Sequence, residues 1–250
     1  MKPNSTSGKI SLSYFIYRLK VLTNKLLKSA HNLLYAIGID IRIRQKEESF
    51  DAVTHNSIDE VNKYYSNTEK QFEITSVEHQ KFFKEIIKIL ENYGVNLKDK
   101  NIADFGCGIG NLLSHLNKHF HPSACNGFDF SDTLIELAVK RFPEGSFNRH
   151  DIYSQLNRKF DFVFCTEVIE HLLYPDKAVK NIMATVRPDG VGAFISVPDG
   201  RKDTYTGHIN FWSPESWEVF IKSQVYGNAR IETGYVTANN LYAIVLLNSN

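Results

Sequence analysis

From Lys100 onward, short apolar runs alternate with helical stretches, and this alternation narrows the available folds more than any other feature of the chain. Asn101–Phe105, Ala124–Phe128, Ser146–His150, Phe160–Cys165 and Gly192–Val197 read as strands. Asn111–His119, Asp132–Arg141 and Asp176–Val186 read as helices between them. Strands joined through helices at this spacing form a parallel sheet with helices on both faces. The ending breaks the pattern. Trp217–Ser223 reads as helix, but only a short polar turn zone separates the strands Ala229–Thr233 and Leu241–Leu247. Strands that close together pair antiparallel, since a parallel pair needs a crossover of about a dozen residues or more.

Ahead of the alternation, Ile10–Ile37 reads as an amphipathic helix. Ile16, Leu19, Leu22, Leu26, Leu33 and Ile37 recur near the helical period with Lys and Arg between them, and Gly38 serves as C-cap. A polar linker from about Gln45 to Glu60 follows, then an aromatic stretch (Tyr64, Tyr65, Phe72), then an amphipathic helix from Ser76 to Tyr93. The net charge of +1 hides an asymmetry: residues 1–50 carry nine Lys/Arg against three acids, a net of +6, and the other 200 residues carry −5. Ile10–Tyr17 is cut short by Arg18 and Lys20, and Ser29–Ile39 falls short of the roughly 20 residues that span a bilayer. No small-residue cleavage site follows an apolar core, which argues against a signal peptide. Cys107, Cys125 and Cys165 form an odd count with no CxxC spacing, which points to a reducing cytoplasmic interior without a disulfide scaffold. The basic helix has three readings: packing on the sheet or in a homodimer, lying on the anionic inner membrane face, or docking a partner enzyme.

The segment Asp104-Phe105-Gly106-Cys107-Gly108-Ile109-Gly110-Asn111 sits at a strand end and opens a helix. Three glycines let the backbone turn sharply and approach a ligand closely, and the helix start presents N–H groups to an anion. A dinucleotide fingerprint requires G-x-G-x-x-G, whereas the spacing here is G-x-G-x-G with Asn111 next. Asp104 would also repel a pyrophosphate and attract an amine, so the loop favours a zwitterion over a diphosphate.

These residues resemble the first motif of the class I S-adenosylmethionine-dependent methyltransferases. The resemblance runs on through Gly127-Phe128-Asp129-Phe130-Ser131, His150-Asp151-Ile152, Phe160–Leu172 and Val186-Arg187-Pro188-Asp189-Gly190, covering roughly residues 80–250. It is nearest the ubiquinone-biosynthesis O-methyltransferase type. The resemblance implies a Rossmann-like α/β fold with a seven-stranded, mostly parallel sheet and an antiparallel C-terminal strand. The expected division is a basic helical extension and lid over residues 1–75 and the methyltransferase domain over 76–250. It also implies S-adenosyl-L-methionine as cofactor. Asp104 and the carbonyls around Gly106 would hold its ammonium, and N–H groups near Gly108 and Asn111 would face its carboxylate. Asp129 would accept both ribose hydroxyls, Asp151 the adenine amino group, and the Ile152 N–H would reach the ring. Phe130 would pack on adenine, with Cys107, Thr166 and Glu167 also along the cofactor.

Methyl transfer to an aliphatic hydroxyl needs its proton removed, a task suited to a histidine near neutral pH. Glu167, Glu170 and His171 follow the fourth strand, and in a helix their spacing would put all three on one face. His171 is the candidate general base, with Glu170 or Glu167 orienting it. The alternative is that both acids brace the turn while His171 packs beneath the cofactor. Glu-x-x-Glu-His with the later His208 also resembles the metal site of small-RNA 3′-end 2′-O-methyltransferases, but Leu172 stands where that family has a second His. The expectation is therefore a site without metal. His208, Trp212 and Tyr65 are candidate acceptor contacts, and Ser213-Pro214 is a good helix start. The implied acceptor is a small hydroxylated molecule: a sugar of a surface glycan or its precursor, or a phenolic, quinone-like compound. Nucleic acid is disfavoured, since Val197-Pro198-Asp199 is the nearest approach to the Asn/Asp-Pro-Pro-aromatic motif used on base amines. A non-catalytic cofactor-binding scaffold is the competing class.

Overall fold

The computed structural model describes residues 57–66, 77–225 and 227–247. The basic helix expected at Ile10–Ile37, most of the linker and the remainder of the expected lid lie outside the described residues. The chain divides after Ser49, and the described residues all lie in the second unit, 50–250, which is compact. In the second, α1 (Ile58–Ser66) and α2 (Val77–Asn92) precede the alternating unit. The elements β1 (Asn101–Phe105), α3 (Asn111–Phe120), β2 (Ala124–Asp129), α4 (Asp132–Arg141), β3 (Ser146–Arg149) and β4 (Phe162–Thr166) then follow. A 3-10 turn (Ile169–His171), α5 (Pro175–Ala184), β5 (Gly192–Pro198), α6 (Pro214–Gln224), β6 (Ala229–Thr237) and β7 (Asn240–Leu247) complete the order.

The seven strands form one sheet in the order β3-β2-β1-β4-β5-β7-β6. Neighbours among β1 to β5 run parallel, and β7 pairs antiparallel with both β5 and β6. The final hairpin is thus where the short turn zone requires it. Both faces of the inner strands are buried, and side-chain alternation sorts the residues between them. Ile102, Phe162, Phe164 and Phe194 join one core with α2 and α3. Ala103, Val163, Cys165, Ala193 and Ile195 face the opposite core with α5 and α6. Strands covered on both sides therefore appear as continuous apolar runs.

The chain leaves β1 toward β2 and β3, then returns to place β4 on the other side of β1. Such a reversal opens a crevice at the carboxyl ends of the two central strands, where ligands of open α/β sheets bind. Asp104, Asp129 and Thr166 all lie at or beside those ends.

Two helices begin as their sequences dictate. Ser131 caps α4 by accepting the Leu134 N–H at 3.2 Å. Ser213 caps α6 by accepting the Ser216 N–H at 3.3 Å, with Pro214 next. α6 is consequently longer at its start than Trp217–Ser223. Ser213→Ala should lower stability by about 1 kcal/mol, the usual worth of an N-cap. In thermal unfolding that is a midpoint drop of about 2–4 °C for a domain of this size. Among the described residues, no helix is long and apolar enough to cross a membrane.

Candidate active site

The loop after β1 is held by its own backbone. The Gly106 and Cys107 N–H groups both donate to Phe128 O, at 2.7 and 3.0 Å, tying the loop to β2. Gly106 has φ 75°, and a Cβ there would come within 2.2 Å of Val168 Cγ2, so the loop packs directly on the chain leaving β4. Gly108 has φ 53°, and a Cβ there would meet open space. One glycine is therefore required by packing, and the next leaves backbone exposed for a ligand. Cys107 turns its thiol into the core, so only its backbone is available.

Two carboxylates frame this loop. Asp129 is buried at the end of β2, where Oδ2 accepts the Gly108 N–H and Oδ1 the Ser131 N–H, both at 3.0 Å. Burial raises its pKa and those N–H bonds partly counter the rise. Asp104 is buried as well, and its Oδ1 has no hydrogen-bond partner. Burial, with Asp129 nearby, pushes its pKa up to about 8. A buried acid left unsatisfied is costly unless a ligand completes it. Around this pair, Asn111 begins α3 behind the uncapped Gly110. Phe130 is partly exposed beside Asp129. Asp151 is exposed, with Oδ1 accepting the Tyr153 N–H at 2.9 Å. Ile152 packs against the second core, and its carbonyl accepts from Asn181 Nδ2 at 3.0 Å. Thr166 pairs with Ser196 at the end of β4.

The segment after Thr166 departs from the helical face expected for it. Glu167 has φ 56° and reverses the chain, and only a single 3-10 turn follows. Its side chain lies along the strand ends, with Oε1 accepting from Ser196 Oγ at 2.8 Å and Oε2 from Asn240 Nδ2 at 2.7 Å. Burial raises its pKa to about 7 despite these bonds. Glu167 therefore does not orient His171. Nor does Glu170 do so by a hydrogen bond, because its Oε1 is 3.9 Å from His171 Nε2. One contact that orients His171 is Gly207 O, 3.1 Å from Nδ1. A carbonyl only accepts, so Nδ1 carries a proton.

His208 joins the same cluster. Its Nδ1 is 2.5 Å from Asp203 Oδ2 and its Nε2 is 3.8 Å from Glu170 Oε1, and the two imidazoles stand edge to face at 4.5 Å. Burial works against the Asp203 carboxylate, but the His208 bond and the Tyr205 N–H outweigh it and lower its pKa. Tyr205 stands edge-on to both imidazoles. Asn210 clamps the two loops together: its Nδ2 donates to Leu172 O at 2.7 Å, and the Ile209 and Asn210 N–H groups donate to Glu170 O. Trp212, expected at the acceptor, is instead a core residue packed on Trp217 and Phe220. Tyr65 lies on α1, and its side chain is outside the described residues. Asp203, Tyr205 and Asn210 were not singled out in the sequence. Asp203 carried a readable signal, an acid five residues before His208 in one loop, and Asn210 carried none.

Residues 77–227 match the family described as methyltransferase domain. A ubiquinone biosynthesis O-methyltransferase of Coxiella burnetii is 31% identical over 102 residues, covering 38% of this chain and 43% of that protein. The protein of the same description from Rickettsia bellii is 27% identical over 154 residues, 56% of this chain and 64% of that one. The chain thus spans less than two thirds of either relative. An S-adenosylmethionine-dependent methyltransferase from Clostridium acetobutylicum shares the fold with a TM-score of 0.57 at 15% identity, covering 75% of this chain and 99% of that structure.

Proposed function

The chain belongs to the methyltransferase-domain family, and from that premise we propose that it moves a methyl group from S-adenosylmethionine to a hydroxyl oxygen of a small acceptor. The observation that carries this reading is the buried Asp104 carboxyl, whose Oδ1 lacks a hydrogen-bond partner, beside a glycine loop with open space at Gly108. The donor's ammonium would supply the missing partner. Asp129, already positioned by two N–H groups, has the acceptor capacity to hold ribose hydroxyls. Phe130, Asp151 and Ile152 are assigned to the adenine, and the start of α3 at Asn111 to the donor's carboxylate, the Gly108 N–H being held by Asp129. When bound, the donor supplies a methyl on a cationic sulfur, which passes to oxygen as the carbon–sulfur bond breaks with its electron pair left on sulfur. The chain's own work is alignment, exclusion of water and removal of the hydroxyl proton. We assign that proton to the Glu170–His171–His208 cluster.

The rim supports an acceptor with an apolar, ring-bearing body. Leu173, Tyr174, Tyr205 and Phe211 are all exposed on the two loops that carry the cluster. A phenolic or quinone-like compound fits this rim better than a bare sugar, which favours the second of the two acceptor classes. Residues 1–75 are assigned as extension and lid, supported by Ser131 Oγ, 2.5 Å from Asn62 Oδ1 of α1 at the edge of the sugar-binding end.

Transfer of radioactive methyl from the donor to a panel of phenols and sugars tests the reading, and donor binding without turnover on any of them would favour a scaffold. A second test follows from Asp104. With its pKa near 8 the carboxyl is protonated at pH 7, and a bound ammonium ionises it. Donor binding between about pH 5 and 8 should therefore release up to one proton, read as a calorimetric heat that varies with the buffer's ionisation enthalpy. Asp104→Asn should remove the dependence, and identical heats in all buffers would disprove the contact.

A further inference from the structure

We infer that Asn62, on the short helix α1, is a positioning residue for the donor's sugar: it takes the proton of the Ser131 hydroxyl and so keeps the Asp129 carboxylate open to the ribose. The inference rests on the proposed function for the identity of the donor, and it adds a residue from outside the alternating unit. Ser131 is the hub of the arrangement. It lies between β2 and α4, fully buried, and each of its polar groups has a partner. Its backbone N–H donates to Asp129 Oδ1 at 3.0 Å and its Oγ accepts the Leu134 N–H at 3.2 Å. The same Oγ stands 2.5 Å from Asn62 Oδ1.

The direction of that last bond follows from its partners. An amide oxygen only accepts, so the Ser131 hydroxyl donates to Asn62 and turns a lone pair toward Leu134. Without Asn62 the hydroxyl proton must find another acceptor, and a carboxylate, Asp129, stands two residues back in the chain. A carboxylate has about four acceptor sites. The Gly108 and Ser131 N–H groups already occupy two of them. A hydroxyl turned onto Asp129 would compete with the two ribose hydroxyls for the rest.

α1 is suited to carry such a residue. It has nine residues, starts behind Ser57, whose Oγ accepts the Glu60 N–H at 3.4 Å, and packs on α4. A helix this short is marginal alone, so its contacts with α4 hold it. Asn62 is half-buried there. Asparagine is also a weaker helix former than alanine, so Asn62→Ala keeps the helix and removes the bond.

The test compares two ligands by calorimetry on the full chain: S-adenosylhomocysteine and its 2′,3′-dideoxy analogue, which lacks both ribose hydroxyls. The unaltered protein should prefer the hydroxylated ligand by about 100-fold or more, as two hydrogen bonds to a charged group imply. Asn62→Ala should cut that preference by about 3–10-fold, by weakening S-adenosylhomocysteine and leaving the dideoxy analogue unchanged. In a Ser131→Ala background, Asn62→Ala should reduce the preference no further, since the two residues act through one bond. An undiminished preference in Asn62→Ala, whether both ligands weaken equally or neither does, leaves α1 a packing helix and overturns the inference alone. An equal further fall in the Ser131→Ala background overturns the route through Ser131. Folded, unaltered protein that binds neither ligand overturns the methyltransferase reading itself, and this inference with it.

Discussion

Gly106→Ala is expected to destabilise the protein by about 2–5 kcal/mol and to abolish measurable donor binding. Two independent penalties meet at this position. A residue with a Cβ at φ 75° leaves its allowed region, at about 1–2 kcal/mol. The new methyl would also sit 2.2 Å from Val168 Cγ2, which the core resists by about 1–3 kcal/mol. Val168 is branched and short, so it cannot swing aside as a long side chain would. The displaced segment leads into Glu170 and His171, and therefore both halves of the site suffer. Urea unfolding and calorimetry with S-adenosylhomocysteine measure the two effects. Gly106→Ala combined with Val168→Ala should recover part of the stability, because it relieves the contact and leaves the backbone strain. If Gly106→Ala alone binds within tenfold of the unaltered protein, the loop does not hold the donor.

The second large effect is expected at His171. His171→Ala, assayed at saturating acceptor and donor, should lose about 10²–10⁴-fold in turnover, the usual contribution of a group that manages a proton in the transition state. Donor affinity should stay within a few-fold, because Asp104 and Asp129 are untouched. A loss below about tenfold would leave His171 a packing residue and move the proton to His208 alone. His208→Ala then becomes the discriminating variant, with its Asp203 support as the secondary one. The pair separates the two imidazoles, which share Glu170 and would otherwise be confused.

The sheet was legible because its strands are covered on both faces. Val163 and Cys165 point to one core and Phe162 and Phe164 to the other, so the run is apolar throughout and has only one sensible reading. The hairpin was legible from the length of its turn zone alone. The clustering of the glycine loop with the acids at the strand ends was legible because their positions are local: Asp104, Gly106 and Asp129 stand where their strands stop. The acceptor side was less so. Its parts come from different loops, and no spacing in one segment announces that Gly207 O will meet His171 or that Asp203 will meet His208. Trp212 misled because an aromatic between polar neighbours looks like a ligand contact, yet it inserts beside Trp217. Glu167 misled because helical spacing was assumed, and one left-handed residue sends its side chain to Asn240 instead.

Asn210 has a consequence for how such a protein can diversify. Its single side-chain amide grips the turn after β4, while the adjoining backbone grips Glu170 O. The loop proposed to meet the acceptor and the turn that carries Glu170 and His171 are therefore tied together. On the proposed reading, new acceptors can be accommodated by exchanging the outward-facing Tyr174 or Phe211 without disturbing the chemistry beneath. Insertions between residues 205 and 212, by contrast, would pull the reactive groups out of line. A lineage descended from this chain would thus explore its substrates by repainting the entrance and leave the frame alone.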